Sequence, residues 1–173
     1  MIHKLDNFWL RKPLVSDAHR LYEISQNVEV MEYYGTPAFK TFYEAKAEVD
    51  WFHTLEVTGE GYRWIITDTK NQCIGSLGFF NFNRNHGSIE VSYQLMRSMW
   101  GKGIMTQALE LLCHSLTNRE DIRFVIAYAH RNNPRSVKVL EKTGFERVNN
   151  FVPNKQEMSR LKDCDMYIYY IDR

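Results

Sequence analysis

The chain has 173 residues, of which 44% are hydrophobic and 14% aromatic, enough apolar substance for a packed core and too much for a disordered segment. Lys and Arg number 22 against 21 Asp and Glu, a net charge of +1, which makes no electrostatic case for nucleic acid or an anionic membrane as partner. Cys73, Cys113 and Cys164 are odd in number and far apart, and the histidines form no ligand-spaced cluster. The expectation is a cytoplasmic chain in a reducing compartment, with no metal and no disulfide framework. No stretch has the length of a membrane span, and Met1 to Leu10 lacks the apolar run of a signal peptide.

Phe8-Trp9-Leu10-Arg11 alternates apolar and long polar side chains and is stopped by Pro13, a first strand. Ser16-Asp17 reads as a helix start, with Ser16 as N-cap and an acid in the first turn. Val28 to Tyr34 reads as a short helix before Gly35 and Pro37. Phe42, Ala45, Val49 and Phe52 recur at helical spacing, so Thr41 caps a helix that runs to about Val57. The period then changes. Strands are expected at 62–67, 73–82 and 88–96, joined by the turn residues of 68–71 and 83–87, and short links make them an antiparallel meander.

Gly101-Lys102-Gly103 opens a helix over 104–117, and Arg123 to Ala129 is a continuous apolar run of the kind a central strand shows. Strand, helix and strand form a βαβ crossover with parallel strands. Asn133 caps a further helix with Pro134 at its first position, Gly144 ends it, and the last strands fall at 145–151 and 166–171. The whole reads as one α+β domain over residues 1–173, a mixed sheet flanked by helices.

Glycines feeding a helix start present free backbone N–H groups and a positive helix end to an anion. The GxxxxGK[ST] phosphate loop is absent, and GxGxxG fails because Thr106 holds its third glycine position. The residues around the turn are more specific. Met99-Trp100-Gly101-Lys102-Gly103-Ile104-Met105-Thr106 followed by Gln107-Ala108-Leu109 resembles the pyrophosphate-binding motif of the GNAT acetyltransferases, in the WGKG form of their ribosomal-protein N-terminal acetyltransferase branch. Asn133 to Ser136, followed by Lys142-Thr143-Gly144-Phe145, resembles the second CoA motif of that family. Asn27 to Met31 with Tyr34-Gly35, Leu10 to Leu14, and Asp165 to Tyr169 resemble other segments of the same branch, so the likeness spans essentially the whole chain. The chain departs from it at Ser98, where many members carry Arg or Gln.

The resemblance implies acetyl-CoA as co-substrate and a primary amine as acceptor, foremost a protein N-terminal α-amine such as that of a ribosomal protein. It implies direct attack of the neutral amine on the thioester in a ternary complex. The amides from Trp100 to Thr106 would hold the pyrophosphate, with Lys102 adding a charge, and Asn133 would belong to the cofactor site. The family's splayed strands would grip the pantetheine, with oxyanion donors near Leu95 and Met96. Glu90 matches the family's strand glutamate and is the candidate base, with His130 the competing one; histidine is the side-chain type that exchanges protons near neutral pH. Ser136 is the candidate acid, because Leu140 stands where many members carry a tyrosine. A small-molecule amine acetyltransferase for a polyamine, amino acid or antibiotic, and a non-catalytic acyl-CoA-binding module, are the alternatives. A monomer and a homodimer both stay open.

Overall fold

The computed structural model describes residues 3–5 and 7–171. Among these, eight strands and six helices follow in chain order: β1 (His3–Leu5), β2 (Phe8–Arg11), α1 (Ala18–Ser25), α2 (Val28–Met31), α3 (Phe42–Thr58), β3 (Tyr62–Thr67), β4 (Cys73–Asn83), β5 (Ser88–Leu95), α4 (Ile104–Ser115), β6 (Phe124–His130), α5 (Pro134–Lys142), β7 (Glu146–Arg147), α6 (Met158–Leu161) and β8 (Cys164–Tyr170). The strands make one mixed sheet in the order β1-β2-β3-β4-β5-β6-β8-β7. Strands β3, β4 and β5 form the expected antiparallel meander, and β5 and β6 are its one parallel pair.

The sheet carries an apolar core on each face. Leu77, Ile89, Val91 and Leu95 pack with Ile104, Ala108, Leu109 and Leu112 of α4 and Leu140 of α5. On the other face Ile65 and Cys73 meet Leu21 and Ile24 of α1 and Val49 and Phe52 of α3. Alternation along β5 therefore decides which side chains join α4 and α5 and which face α3.

Several local expectations are corrected. Ser16 is no cap: residues 15–17 form a 3₁₀ turn, and it is the Asp17 carboxylate that accepts from the Leu14 N–H at 2.8 Å. Asp17 also takes two hydrogen bonds of 2.7 Å from the Arg11 guanidinium, so this acid is a buried ion-pair partner between β2 and α1. Thr41 stands at the start of α3 without a side-chain cap bond; Glu44 reaches back to the Lys40 N–H at 2.7 Å instead. The strand expected over 145–151 is only Glu146–Arg147, because Asn150 takes a left-handed φ of 59° and Pro153 follows shortly after. Strand β1 and helix α6 were not foreseen; neither is long enough to carry a period.

Helix α5 matches its sequence signals. The Asn133 side chain accepts from the Ser136 N–H at 3.2 Å, a working N-cap. Gly144 takes a φ of 88°; its N–H reaches Glu141 O and that of Phe145 reaches Leu140 O, a Schellman end.

Candidate functional site

Strands β5 and β6 pair through Ser88–Phe124, Ile89–Val125 and Glu90–Ile126, and then part. Beyond Glu90 the β5 edge has lost its neighbour. Backbone groups in an antiparallel strand alternate sides, and the Met96 N–H donates to Ile74 O of β4 at 2.8 Å. The bonding groups of Val91, Tyr93 and Leu95 therefore face the gap. This narrows the expected oxyanion donors: the Met96 amide is committed to β4, and Leu95 keeps the N–H on the cleft side. The Leu95 carbonyl, on the same side, accepts from the Trp100 indole N–H at 2.7 Å. Trp100 thus braces the mouth of the gap.

The turn after Trp100 is built by two left-handed glycines, Gly101 and Gly103, each with a φ of 76°. A side chain at either would be strained. Ile104 and Met105 are buried, so only their backbone faces outward. The first amide of the segment with a helical acceptor is Gln107, bonded to Gly103 O at 3.1 Å. The N–H groups of residues 101–106 have no protein acceptor among the described residues. They form a row of donors at the positive end of α4, the local chemistry of an anion cradle. Lys102 is exposed, with its ammonium 3.6 Å from Met99 Sδ. Arg135, from the first turn of α5, reaches across to stack on the Trp100 ring at 4.9 Å, and Arg97 stacks on it at 4.8 Å.

Ser136 lies on the α4 and α5 side of the gap. Its hydroxyl is 2.9 Å from the Tyr93 phenol, which also approaches Ser136 O at 3.4 Å. With the Ser136 N–H satisfied by Asn133, the hydroxyl is turned to a side chain and not to its own backbone. Burial pushes the Tyr93 phenol well above its ordinary range, and its hydrogen bond with Ser136 draws it partly back, so it is a proton-holding hydroxyl at any physiological pH. Tyr93 was missed as a site residue, although its place at the end of the strand motif begun by Glu90 was a usable signal.

Glu90 lies on the opposite face of β5. Its carboxylate accepts from Arg160 of α6 at 2.6 and 3.3 Å and from the Asn81 amide at 3.1 Å. Arg160 in turn lies over the Tyr128 ring at 5.4 Å. His130, at the far end of β6, accepts the Asn132 N–H on Nδ1 at 3.1 Å and rests against Tyr33. Glu90 and Ser136 therefore flank the gap from opposite faces of β5, with the cradle at its end.

The comparisons with known proteins bear on the fold and the family. The family model described as "Acetyltransferase (GNAT) domain" matches residues 7–146. The uncharacterized N-acetyltransferase p20 of Bacillus licheniformis is 26% identical over 159 residues, covering 91% of this chain and 89% of that protein. The ribosomal-protein-serine acetyltransferase of Escherichia coli (strain K12) is 29% identical over 76 residues, 44% of this chain and 42% of that one. Among solved structures, RimL, a ribosomal L7/L12 alpha-N-protein acetyltransferase in complex with coenzyme A, superposes with a TM-score of 0.83 at 22% identity over 99% of both chains. Spermidine N-acetyltransferase from Vibrio cholerae, with CoA and spermine, gives 0.75 at 18% identity over 95% of this chain and 96% of that one. The structural likenesses carry the fold, and the family match extends from β2 through the cradle and past the end of α5: this chain belongs to the GNAT acetyltransferase family and is an N-acetyltransferase.

Proposed function

We propose that the chain, as one domain over residues 1–173, transfers the acetyl group of acetyl-CoA to a protein N-terminal α-amine, in a ternary complex and without a covalent enzyme intermediate. The observation that carries this reading is the gap between β5 and β6, which ends at a row of unbonded amides over residues 101–106. A pantetheine arm needs the first and a pyrophosphate the second. Trp100, Gly101, Lys102, Gly103, Ile104, Met105 and Thr106 hold the phosphates in this reading. Leu95 directs an N–H at the thioester oxygen, Met96 supports the strand end, and Asn133 keeps its amide NH₂ for the arm.

The amine enters on the Glu90 face and the thiol leaves on the Ser136 face. Glu90 accepts the proton of the attacking amine, through water, once Arg160 releases a lone pair. As the carbon–sulfur bond breaks, the Ser136 hydroxyl, held in place by the Tyr93 phenol, donates a hydrogen bond to the departing sulfur, which leaves as the thiolate and takes its proton from solvent; both hydroxyls keep their own protons. Each step stabilises charge that exists only in the transition state. The α-amine acceptor is supported by the WGKG loop, by Ser136 in place of a helix tyrosine, and by the likeness to ribosomal-protein acetyltransferases. An α-amine titrates near 7.7–8.0, so a useful fraction is neutral at pH 7, whereas a lysine-like amine near 10.4 is almost wholly protonated. The partner of this reading is a ribosomal-protein N-terminus, met in the cytoplasm.

A polyamine acceptor is the second reading, favoured by the fold shared with the spermidine enzyme and by the acidic Glu23, Glu29, Glu32 and Glu44, which could attract a polycation. Competition between a Ser-initiated peptide and spermidine at equal concentration, with acetyl-CoA, separates the two. The α-amine reading predicts the higher kcat/KM for the peptide, and the opposite order overturns it. If neither amine releases CoA thiol, the acceptor is an amine of another class, such as an amino acid or an antibiotic.

A further inference from the structure

Glu48, on α3, has a side-chain oxygen, Oε2, that is closed off from solvent and receives no hydrogen bond among the described residues. Burial raises its carboxyl above the ordinary range, and the nearby Arg63 guanidinium offsets this only in part.

Arg63 cannot satisfy it, because its own donors are spent. A guanidinium has five N–H groups. In Arg63 these go to Ser76 Oγ at 3.3 and 3.0 Å, to Ser92 O at 3.2 Å and Oγ at 2.6 Å, and to Tyr34 Oη at 3.2 Å. The arrangement is set by the sheet. Gly78 faces Arg63 in the β3–β4 register, and a Cβ there would lie 2.8 Å from the Arg63 side chain. Arg63 is thus pinned flat on the sheet with its charge toward β5, and Glu48 Oε2 is left without a donor.

Glu48 also lines a recess of about 570 Å³, together with Pro37, Phe39, Lys40, Glu44 and Trp51. The recess lies on the amine side of the sheet. Trp51 meets the Phe80 ring edge-on at 6.1 Å, and Phe80 is the β4 residue directly opposite Glu90. Arg63 joins the Glu48 end to Ser92, the residue that follows Val91 on the exposed edge of β5. The walls are mostly apolar, and the neighbouring acid Glu44 is occupied by the Lys40 N–H. A ligand for such a recess has an apolar stem and an N–H-bearing cation at its tip.

We propose that this recess selects the acceptor: the Glu48 side chain turns its unpaired oxygen into the recess to receive the cationic end of a Lys or Arg side chain at the second or third residue of the acceptor peptide, while Phe39 and Trp51 cover its stem. This rests on the α-amine reading above. The reach is reasonable. An extended peptide advances roughly 3.3 Å per residue, and Phe80, opposite Glu90 on β4, touches Trp51 at the rim of the recess, so a long side chain from the second or third residue is directed from the end of β5 along the edge of α3 to that rim. The stem packs and the head pairs, as such side chains do at apolar rims.

The test uses the full-length enzyme, acetyl-CoA and Ser-initiated peptides with Lys, norleucine or Glu at position two or three. Wild type should favour Lys over norleucine by about tenfold in kcat/KM, chiefly through KM, and disfavour Glu. Glu48→Gln, after its melting curve shows a folded protein, should bring the Lys-to-norleucine ratio close to one. Equal kcat/KM for Lys and norleucine in wild type overturns the proposal with no variant needed, as does a ratio that survives in Glu48→Gln. Failure of the α-amine reading looks different: no peptide of the series is acetylated.

Discussion

The Tyr93 phenol and the Ser136 hydroxyl lie 2.9 Å apart, one on β5 and the other in the first turn of α5. This contact supplies from the sheet what the helix lacks. Leu140, on α5, is fully buried in the core and has no proton to give. In the proposed reaction these two hydroxyls act together as one hydrogen-bonded pair at the gap. We predict that Tyr93→Phe lowers kcat at least as much as Ser136→Ala, each by about tenfold to a hundredfold, at the low end of general acid–base effects because a thiolate leaves readily. Acetyl-CoA affinity should change little in either variant. Steady-state kinetics with equilibrium binding checks this; wild-type kcat in both variants would remove the pair from the reaction.

Much of this site could be read from sequence, because its parts are local. Gly101 and Gly103 before an apolar helix, and Asn133-Pro134 before another, are turn and cap signals that depend on neighbours only. The meander was legible from alternation and short turns. What could not be read was which distant side chains meet. Arg160 reaches Glu90 across 70 positions from a helix too short to show a period. Asp17 looked like a first-turn acid and proved to be the partner of Arg11, since the two are joined only once β2 lies beside α1. Glu48 shows the same limit: an acid on a helix looks solvated until the folded chain closes over it.

The cradle gives the most direct ligand prediction. Acetyl-CoA at a hundredfold its dissociation constant should stabilise the protein by about 2.7 kcal/mol, read as a rise in Tm. Gly103 takes a φ of 76°, which a β-branched residue resists, and its backbone must lie open to a phosphate. Gly103→Val should therefore remove most of the ligand-induced rise. A folded Gly103→Val protein with the wild-type rise would show that the anion sits elsewhere.

Glu90→Gln tests the base. Glutamine keeps the shape and one acceptor oxygen, enough at the Oε2 position for the Asn81 amide and one Arg160 N–H, while the second Arg160 N–H loses its acceptor, so a melting curve accompanies the kinetics. Turnover at neutral pH should fall by about a hundredfold or more. The acetyl-CoA-induced rise in Tm should stay, because Glu90 faces away from the cradle. If kcat and its pH profile match wild type, the proton goes to His130 or directly to solvent.

The last prediction concerns pH and the stability of the acceptor side. Burial holds the Glu48 carboxyl above its ordinary value, so the folded state binds this proton more tightly than the unfolded chain does. The sign follows. The stability linked to that proton is fully present below the ordinary carboxylate range and is lost as pH rises through the raised value. At pH 7–8 Glu48 is therefore a net cost to folding, and a neutral group of the same shape should relieve it. Arg63 does not reverse this, since its five N–H groups keep their oxygen acceptors when Glu48 is replaced. We predict that Glu48→Gln melts a few degrees above wild type at pH 8, corresponding to about 1 kcal/mol for a chain of this size. The difference should shrink towards zero as the pH falls below 4. Melting curves of both proteins across that range are sufficient. A Glu48→Gln protein that is less stable at pH 8 than wild type would mean that the carboxylate is already paired in solution, and would leave the recess without the unmet charge that makes it a binding site.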